Sequence, residues 1–96
     1  MDKKQVLMEK MSVLLLEIEE AKKVVDEEKI SYLDNYMKGV ENVMKKLQDG
    51  ILPTSTGGLI GTMRGISEYD SLASIEKLYD AAADVDLFYS RECKEW

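Results

Sequence analysis

The segment Pro53–Gly65 combines hydroxyl side chains with glycines, which are the two features that phosphate-binding loops use. Thr54, Ser55 and Thr56 precede four of the six glycines in the chain. The phosphate-binding motif G-x-x-x-x-G-K-[ST] also needs a lysine, and none occurs between residues 47 and 76. The dinucleotide motif G-x-G-x-x-G is missing too. Ordinary loop chemistry is therefore the favoured interpretation, and phosphate binding is the alternative.

The glycines of this segment have a spacing that would matter in a helix. Gly57, Gly61 and Gly65 are four residues apart, so a short helix over residues 57–66 would carry all three on one face. Such a face allows close approach of another backbone or a ligand. Each glycine, however, costs a helix about 1 kcal/mol relative to alanine. A loop is favoured over the short helix, and if the helix forms, Gly61→Leu should be more damaging than Gly61→Ala.

Asp86 is the least expected side chain in the sequence. It lies between Ala82 and Tyr89 on the apolar face of the last predicted helix. Burial of an unpaired carboxylate is expensive. The sequence therefore predicts a buried Asp86 that is ion-paired with Arg64, and the alternative is that Asp86 receives a cationic group from a partner.

Acidic side chains recur on two predicted helices, and their spacing could suit a metal ion. Glu76, Asp80 and Asp84 are four residues apart and could offer oxygen ligands to Mg²⁺ or Ca²⁺, although a solvated acidic face is favoured. Glu17 and Glu20 form an E-x-x-E that is similar to the magnesium motif of all-helical nucleotide pyrophosphatases, but the accompanying E-x-x-D is missing. We predict no metal site and no cofactor.

The chain contains no histidine, which removes several reaction classes. Histidine phosphotransfer, Ser-His and Cys-His nucleophile pairs and most zinc sites all require one. We therefore predict no catalytic residues, and we expect that the protein is not an enzyme.

Length and charge limit the remaining possibilities. A chain of 96 residues indicates one domain, residues 1–96. The net charge of −6 disfavours binding to nucleic acid and to anionic membranes, and it is compatible with a basic protein partner. The single cysteine suits a reducing compartment. The apolar run Val13–Leu16 is too short to span a membrane, and no segment is typical of a secretory signal, so we predict a cytoplasmic protein.

The first predicted helix, residues 3–26, is apolar on more than one side. One stripe follows alternating spacings of four and three residues, and its members are Leu7, Met11, Leu14, Ile18, Ala21 and Val25. Successive residues of the run Val13–Leu16 point about 100° apart, so Val13, Leu15 and Leu16 point in directions other than that of the stripe. These three residues are the predicted partner-binding residues, and they predict self-association as a homo-oligomer.

The apolar stripe changes phase after Asp26-Glu27-Glu28-Lys29, which predicts a break at about 27–31. Ser31 would cap a second helix over 31–48, with Asp34 completing a capping box. One long kinked helix is the alternative. A glycine-rich connection over 49–66 and a third helix over 67–92 complete the pattern.

These patterns predict an all-α fold, an up-down helical bundle of three main helices with a short fourth helix as an option in the connection. The favoured function is a small, non-catalytic protein–protein interaction module, either an adaptor or an inhibitor-like regulator. The alternative is a small-molecule or phosphate-binding protein, or a small enzyme. Its site would use residues 53–65 and Asp86, with Gly57, Gly61, Arg64 and Gly65 as the candidate ligand or packing residues.

Overall fold

The computed structural model describes residues 2–52 and 61–94, and every regular element in these residues is a helix. The predicted all-helical class is therefore confirmed. The five helices are α1 (Lys3–Ala21), α2 (Glu27–Gln48), α3 (Thr62–Ser67), α4 (Asp70–Ala73) and α5 (Glu76–Glu92).

Helix α1 forms the centre of the packing, because it contacts both α2 and α5. The Asp2 carboxylate accepts a hydrogen bond from the Lys4 amide at 2.9 Å and so caps the start of α1. The stripe of Leu7, Met11, Leu14, Ile18 and Ala21 is buried along its whole length. Helix α1 ends at Ala21, which is five residues before the predicted end.

The break between the first two helices lies at residues 22–26, earlier than the predicted 27–31. Asp26 is the N-cap of α2, and its carboxylate accepts from the Lys29 amide at 3.0 Å. Ser31, the predicted cap, lies inside α2 and is exposed. Glu27 and Glu28 occupy the first turn of α2, where the positive end of the helix dipole favours carboxylates.

Helix α2 buries Leu33, Val40 and Leu47 and ends at Gln48. Gly50 follows with a φ of 73°, and the Ile51 amide donates to the Lys46 carbonyl at 3.0 Å. This is the Schellman arrangement, which needs the left-handed conformation that glycine adopts without strain.

The predicted third helix, 67–92, is interrupted in the structure. Helix α3 lies partly within the predicted connection, α4 is a single turn, and the chain is extended at Tyr69 and again at Ile75. Ile66, Leu72 and Leu78 are each completely buried. These three residues are six positions apart, so one continuous helix would point them in different directions, and the breaks allow all three to reach the core.

The helices enclose a single hydrophobic cluster. Helix α5 packs along α1, and α3 packs on α5. The radius of gyration is 13.0 Å, against about 12.5 Å expected for a compact domain of this length.

Candidate functional site

Asp86 is completely buried, and its carboxylate holds the start of α3. The amides of Thr62 and Met63 donate to its two oxygens at 3.1 and 3.0 Å. The Thr62 hydroxyl lies within hydrogen-bond distance of both Asp86 Oδ1 and the Ala82 carbonyl oxygen, and its single proton serves one of them at a time. Gly61, at the N-cap position, supplies no capping side chain. Asp86, which lies on α5, therefore takes the place of an N-cap side chain for α3, because it accepts hydrogen bonds from the first amides of that helix.

The predicted ion pair between Asp86 and Arg64 is wrong. The Arg64 side chain is 87% exposed, and its Nε lies 3.8 Å from a carboxylate oxygen of Glu68. Arg64 lies two positions beyond Thr62, about 200° around the helix. Its side chain therefore points away from Asp86, which bonds to Thr62. The buried charge is satisfied by backbone amides and a hydroxyl instead.

The candidate glycines have different roles. Gly61 has a φ of 103°, and a Cβ placed there would meet no atom of residues 2–52 or 61–94 within 4 Å. A Cβ on Gly65 would lie 2.7 and 2.9 Å from two ring carbons of Tyr36. Close packing thus occurs at Gly65, whereas Gly61 has the left-handed backbone conformation of a turn. Gly57 lies outside the described residues.

Two tyrosines of α2 hold the other side of α3. The Tyr36 hydroxyl donates to the Thr62 carbonyl at 2.7 Å, and the Tyr32 hydroxyl donates to the Gly65 carbonyl. Burial, and then the charge of Asp86, raises the pKa of Tyr36 well above its usual value. Burial is also the main cause of a raised pKa at Tyr32. Both phenols therefore stay protonated as donors.

Sequence reasoning missed these tyrosines. Their spacing of four residues, which places both on one face of α2, was the available signal. The arrangement formed by Asp86, Tyr32, Tyr36 and α3 will be called the α3 anchor. Its polar atoms bond to one another, so the anchor positions a helix.

The predicted partner-binding residues separate into two groups. Val13 and Leu16 are 52% and 67% exposed. Leu15 is half-buried and packs against the core, so it is less available to a partner. Val13 lies beside α5, and Leu16 lies about 60° further around α1.

A shallow groove of about 520 Å³ runs between α1 and α5. Its apolar lining comes from Val13, Ala81, Ala83 and Leu87, and its charged lining is Glu17, Lys77, Asp80 and Asp84. A second section of about 400 Å³ shares Glu17 and Lys77 and continues toward the start of α5. The other residues of that section are Glu20, Ala21, Val24, Ser74, Ile75 and Glu76. Both sections together will be called the α1–α5 groove.

A separate cavity of about 230 Å³ lies between α1, α2 and the start of α3. Its described lining is Met11, Tyr36, Gly39, Val40, Val43, Gly61 and Thr62. The two side-chain hydroxyls in this lining already make hydrogen bonds within the α3 anchor.

Within residues 2–52 and 61–94, no three potential metal-binding side chains come together. No helix in that part of the chain has both the length and the apolar character needed to cross a membrane. No protein-family model, no curated protein sequence and no solved structure matches this chain.

Proposed function

We propose that the chain is a non-catalytic protein–protein interaction module, acting as an adaptor or as an inhibitor-like regulator. The exposure of Val13 and Leu16 carries this proposal. The core stripe of α1 is already buried by the chain itself, so these two side chains add nothing to its own core. Apolar side chains left exposed close to an apolar groove are typical of surfaces that bind other proteins.

The proposal includes an up-down course of α1, α2 and α5, with α3 and α4 in the last connection. It also sets the module in the cytoplasm, because a single buried thiol at Cys93 suits a reducing compartment. The net charge of −6 favours a basic protein over an acidic one as the partner.

Affinity purification with matched variants tests the proposal. Leu16 and Ile51 are both 67% exposed, so Leu16→Glu and Ile51→Glu make the same chemical change at equal exposure. We expect the wild-type chain and Ile51→Glu to retain a specific protein that Leu16→Glu, or Val13→Glu, loses. Recovery of the same proteins by all four chains, or of none above background, would contradict the proposal.

We also propose that two copies associate through Val13 and Leu16 when no other partner is present. A second copy can cover the same apolar side chains, so the surface would serve either occupant. Sedimentation equilibrium at low and at high ionic strength tests this association.

Small-molecule binding is the second candidate, and the cavity beside Gly61 favours it. Its volume is below the range of about 300–1,000 Å³ that is typical of ligand sites. Phosphate is a poor choice there, because the Asp86 carboxylate already occupies the amides of Thr62 and Met63. A thermal-shift screen of metabolites and nucleotides tests this function, since a ligand of the native state raises Tm. No shift at any concentration would reject it.

A further inference from the structure

We propose that the α1–α5 groove binds a basic amphipathic helix from a different protein. This inference rests on the proposed function and specifies the binding surface and the chemistry of the partner.

The apolar residues of the groove suit the apolar face of a helix. Val13 and Leu87 lie at one section, and Val24, which is 73% exposed, lies at the other. Ala81 and Ala83 lie between larger residues, and short side chains there let a helix backbone approach closely. The groove follows α5 from the first residue of that helix to Leu87, eleven residues further on, so it spans roughly 16 Å at the helical rise of 1.5 Å per residue. That length corresponds to about three turns of a bound helix.

The charged side chains that line the groove indicate which charge the bound helix should carry. Its lining contains one lysine and five carboxylates, which belong to Glu17, Glu20, Glu76, Asp80 and Asp84. Asp84 is paired with Lys10 at 2.9 Å, and Glu20 is paired with Lys23 at 3.3 Å.

The other three carboxylates, Glu17, Glu76 and Asp80, make no ion pair with any residue in the described ranges. They stand beside the apolar residues along both sections of the groove. A helix with lysine or arginine at the edges of an apolar face would place cations against them.

None of the three long helices in the described part of the chain would let a second copy offer such a helix. Each of α1, α2 and α5 contains at least as many carboxylates as cationic side chains. On α2, the exposed residues Lys38, Glu41 and Lys45 alternate in sign. Charge complementarity therefore favours a heterologous basic helix as the occupant of the groove.

A display selection tests both the site and the charge. The probe is a library of helical peptides of about 14 residues with a fixed Leu/Ala face and flanking positions randomised among Lys, Glu, Gln and Ser. The folded, full-length chain is the bait. We expect enriched peptides to carry a net positive charge, and we expect their affinity to fall at least ~10-fold when ionic strength rises from about 0.1 M to about 1 M.

Matched variants then locate the bound peptide. Asp80→Lys and Leu87→Glu should each weaken binding at least ~10-fold. Glu41→Lys and Ile51→Glu, which make the same changes on exposed positions away from the groove, should leave it within ~2-fold. Circular dichroism and Tm confirm that each variant folds.

The outcomes separate the two proposals. Enriched peptides that are neutral or acidic, or that bind the groove variants normally, would overturn this inference while leaving an interaction module in place. Recovery of no peptide would also overturn it. The interaction function itself fails only if affinity purification gives no partner that depends on Leu16 or Val13.

Discussion

Asp86 shows how one buried carboxylate can begin a helix that is remote in sequence. Helix α3 has six residues, and a helix this short is marginal without tertiary contacts. Its first amides are free of intrahelical partners, as in every helix, and Asp86 accepts from two of them. The charge is favourable there because it meets the positive end of the helix dipole.

Loss of the Asp86 carboxylate should destabilise the fold. Asp86→Ala leaves the buried Thr62 amide and the partly buried Met63 amide without an acceptor, and we expect a loss of about 2–4 kcal/mol in the free energy of unfolding. Asp86→Asn keeps one acceptor oxygen and should cost less. Arg64→Ala should change stability by less than ~0.5 kcal/mol, because that side chain is exposed. Urea unfolding measures all three, and equal effects from Arg64→Ala and Asp86→Ala would contradict the anchor.

Gly61 and Gly65 should respond differently to larger side chains. At Gly61 the left-handed φ penalises any Cβ, and no atom of the described part of the chain obstructs the space beyond, so Gly61→Ala and Gly61→Leu should each cost about 1–2 kcal/mol. At Gly65 an added side chain would meet the Tyr36 ring. The hydrogen bond from the Tyr36 hydroxyl to Thr62 holds that ring in place. There, Leu should be worse than Ala by about 1–3 kcal/mol.

Thermal and urea unfolding of the four glycine variants provide the measurement, and a Tyr36→Leu background provides the control. Removing the ring should recover most of the loss caused by Gly65→Ala and none of the loss caused by Gly61→Ala. Similar rescue at both positions would show that the ring is not the cause.

Residue patterns indicated that Asp86 and the glycines were unusual, but not what each one contacts. The stripe through Ala82 and Tyr89 placed Asp86 on a buried face, because helical periodicity is visible in the sequence. The hydrogen-bond donors to Asp86 are mostly backbone amides. Every residue except proline has one, so the residue types in the sequence do not identify these donors. An ion pair with Arg64 follows from the sequence because oppositely charged residue types are visible there. The same limit applied to Gly65, whose neighbour Tyr36 lies on another helix.

At the scale of the elements, Asp26 decides where the second helix begins. The sequence places three carboxylates together at residues 26–28, which disfavours the end of a helix and favours its start. The change of phase in the apolar stripe indicated a break in this region. It did not locate the cap, because Ser31 with Asp34 has the capping-box spacing as well.

A pair of alanine substitutions tests this boundary. Asp26→Ala removes the carboxylate that accepts from the Lys29 amide, so stability should fall by about 0.5–2 kcal/mol. Ser31→Ala lies on an exposed turn inside α2 and should be neutral or slightly stabilising, since alanine has the higher helix propensity. Chemical unfolding compares the two. A larger loss of stability from Ser31→Ala than from Asp26→Ala would indicate that Ser31, and not Asp26, caps the second helix.

The interrupted third helix was harder to predict from sequence. Residues 67–92 contain no proline or glycine, so no local signal marks the breaks at Tyr69 and Ile75. The reason for the breaks is tertiary, because Ile66, Leu72 and Leu78 must all reach the same core. Tertiary burial often overrides helix propensity, and it can be recognised only once the neighbouring elements are in place.

At the scale of the whole molecule, the charge of each copy affects the proposed association of two copies. Suppose that two α1 helices cross antiparallel, so that Val13 of one copy lies against Leu16 of the other. The same register places Glu9 of each copy against Glu20 of the other, because both pairs of residue numbers have the same sum. Apolar contact at the centre is then opposed by repulsion between the carboxylates of Glu9 and Glu20, which the pairing of Glu20 with Lys23 weakens but does not remove. The net charge of −6 on each copy adds to this repulsion.

Self-association should therefore strengthen as salt is added. Raising ionic strength from about 0.1 M to about 1 M shortens the Debye length from ~10 Å to ~3 Å and removes most of the repulsion. We expect the association constant to rise about 10-fold, and we expect Leu16→Glu to abolish association while the equally exposed Ile51→Glu retains it. Sedimentation equilibrium across micromolar concentrations measures this. A monomer at every concentration and salt level would contradict self-association, and an association that weakens with salt would contradict its origin in apolar contact opposed by charge. The basic helix proposed for the α1–α5 groove should show the reverse trend, so salt alone distinguishes the two occupants.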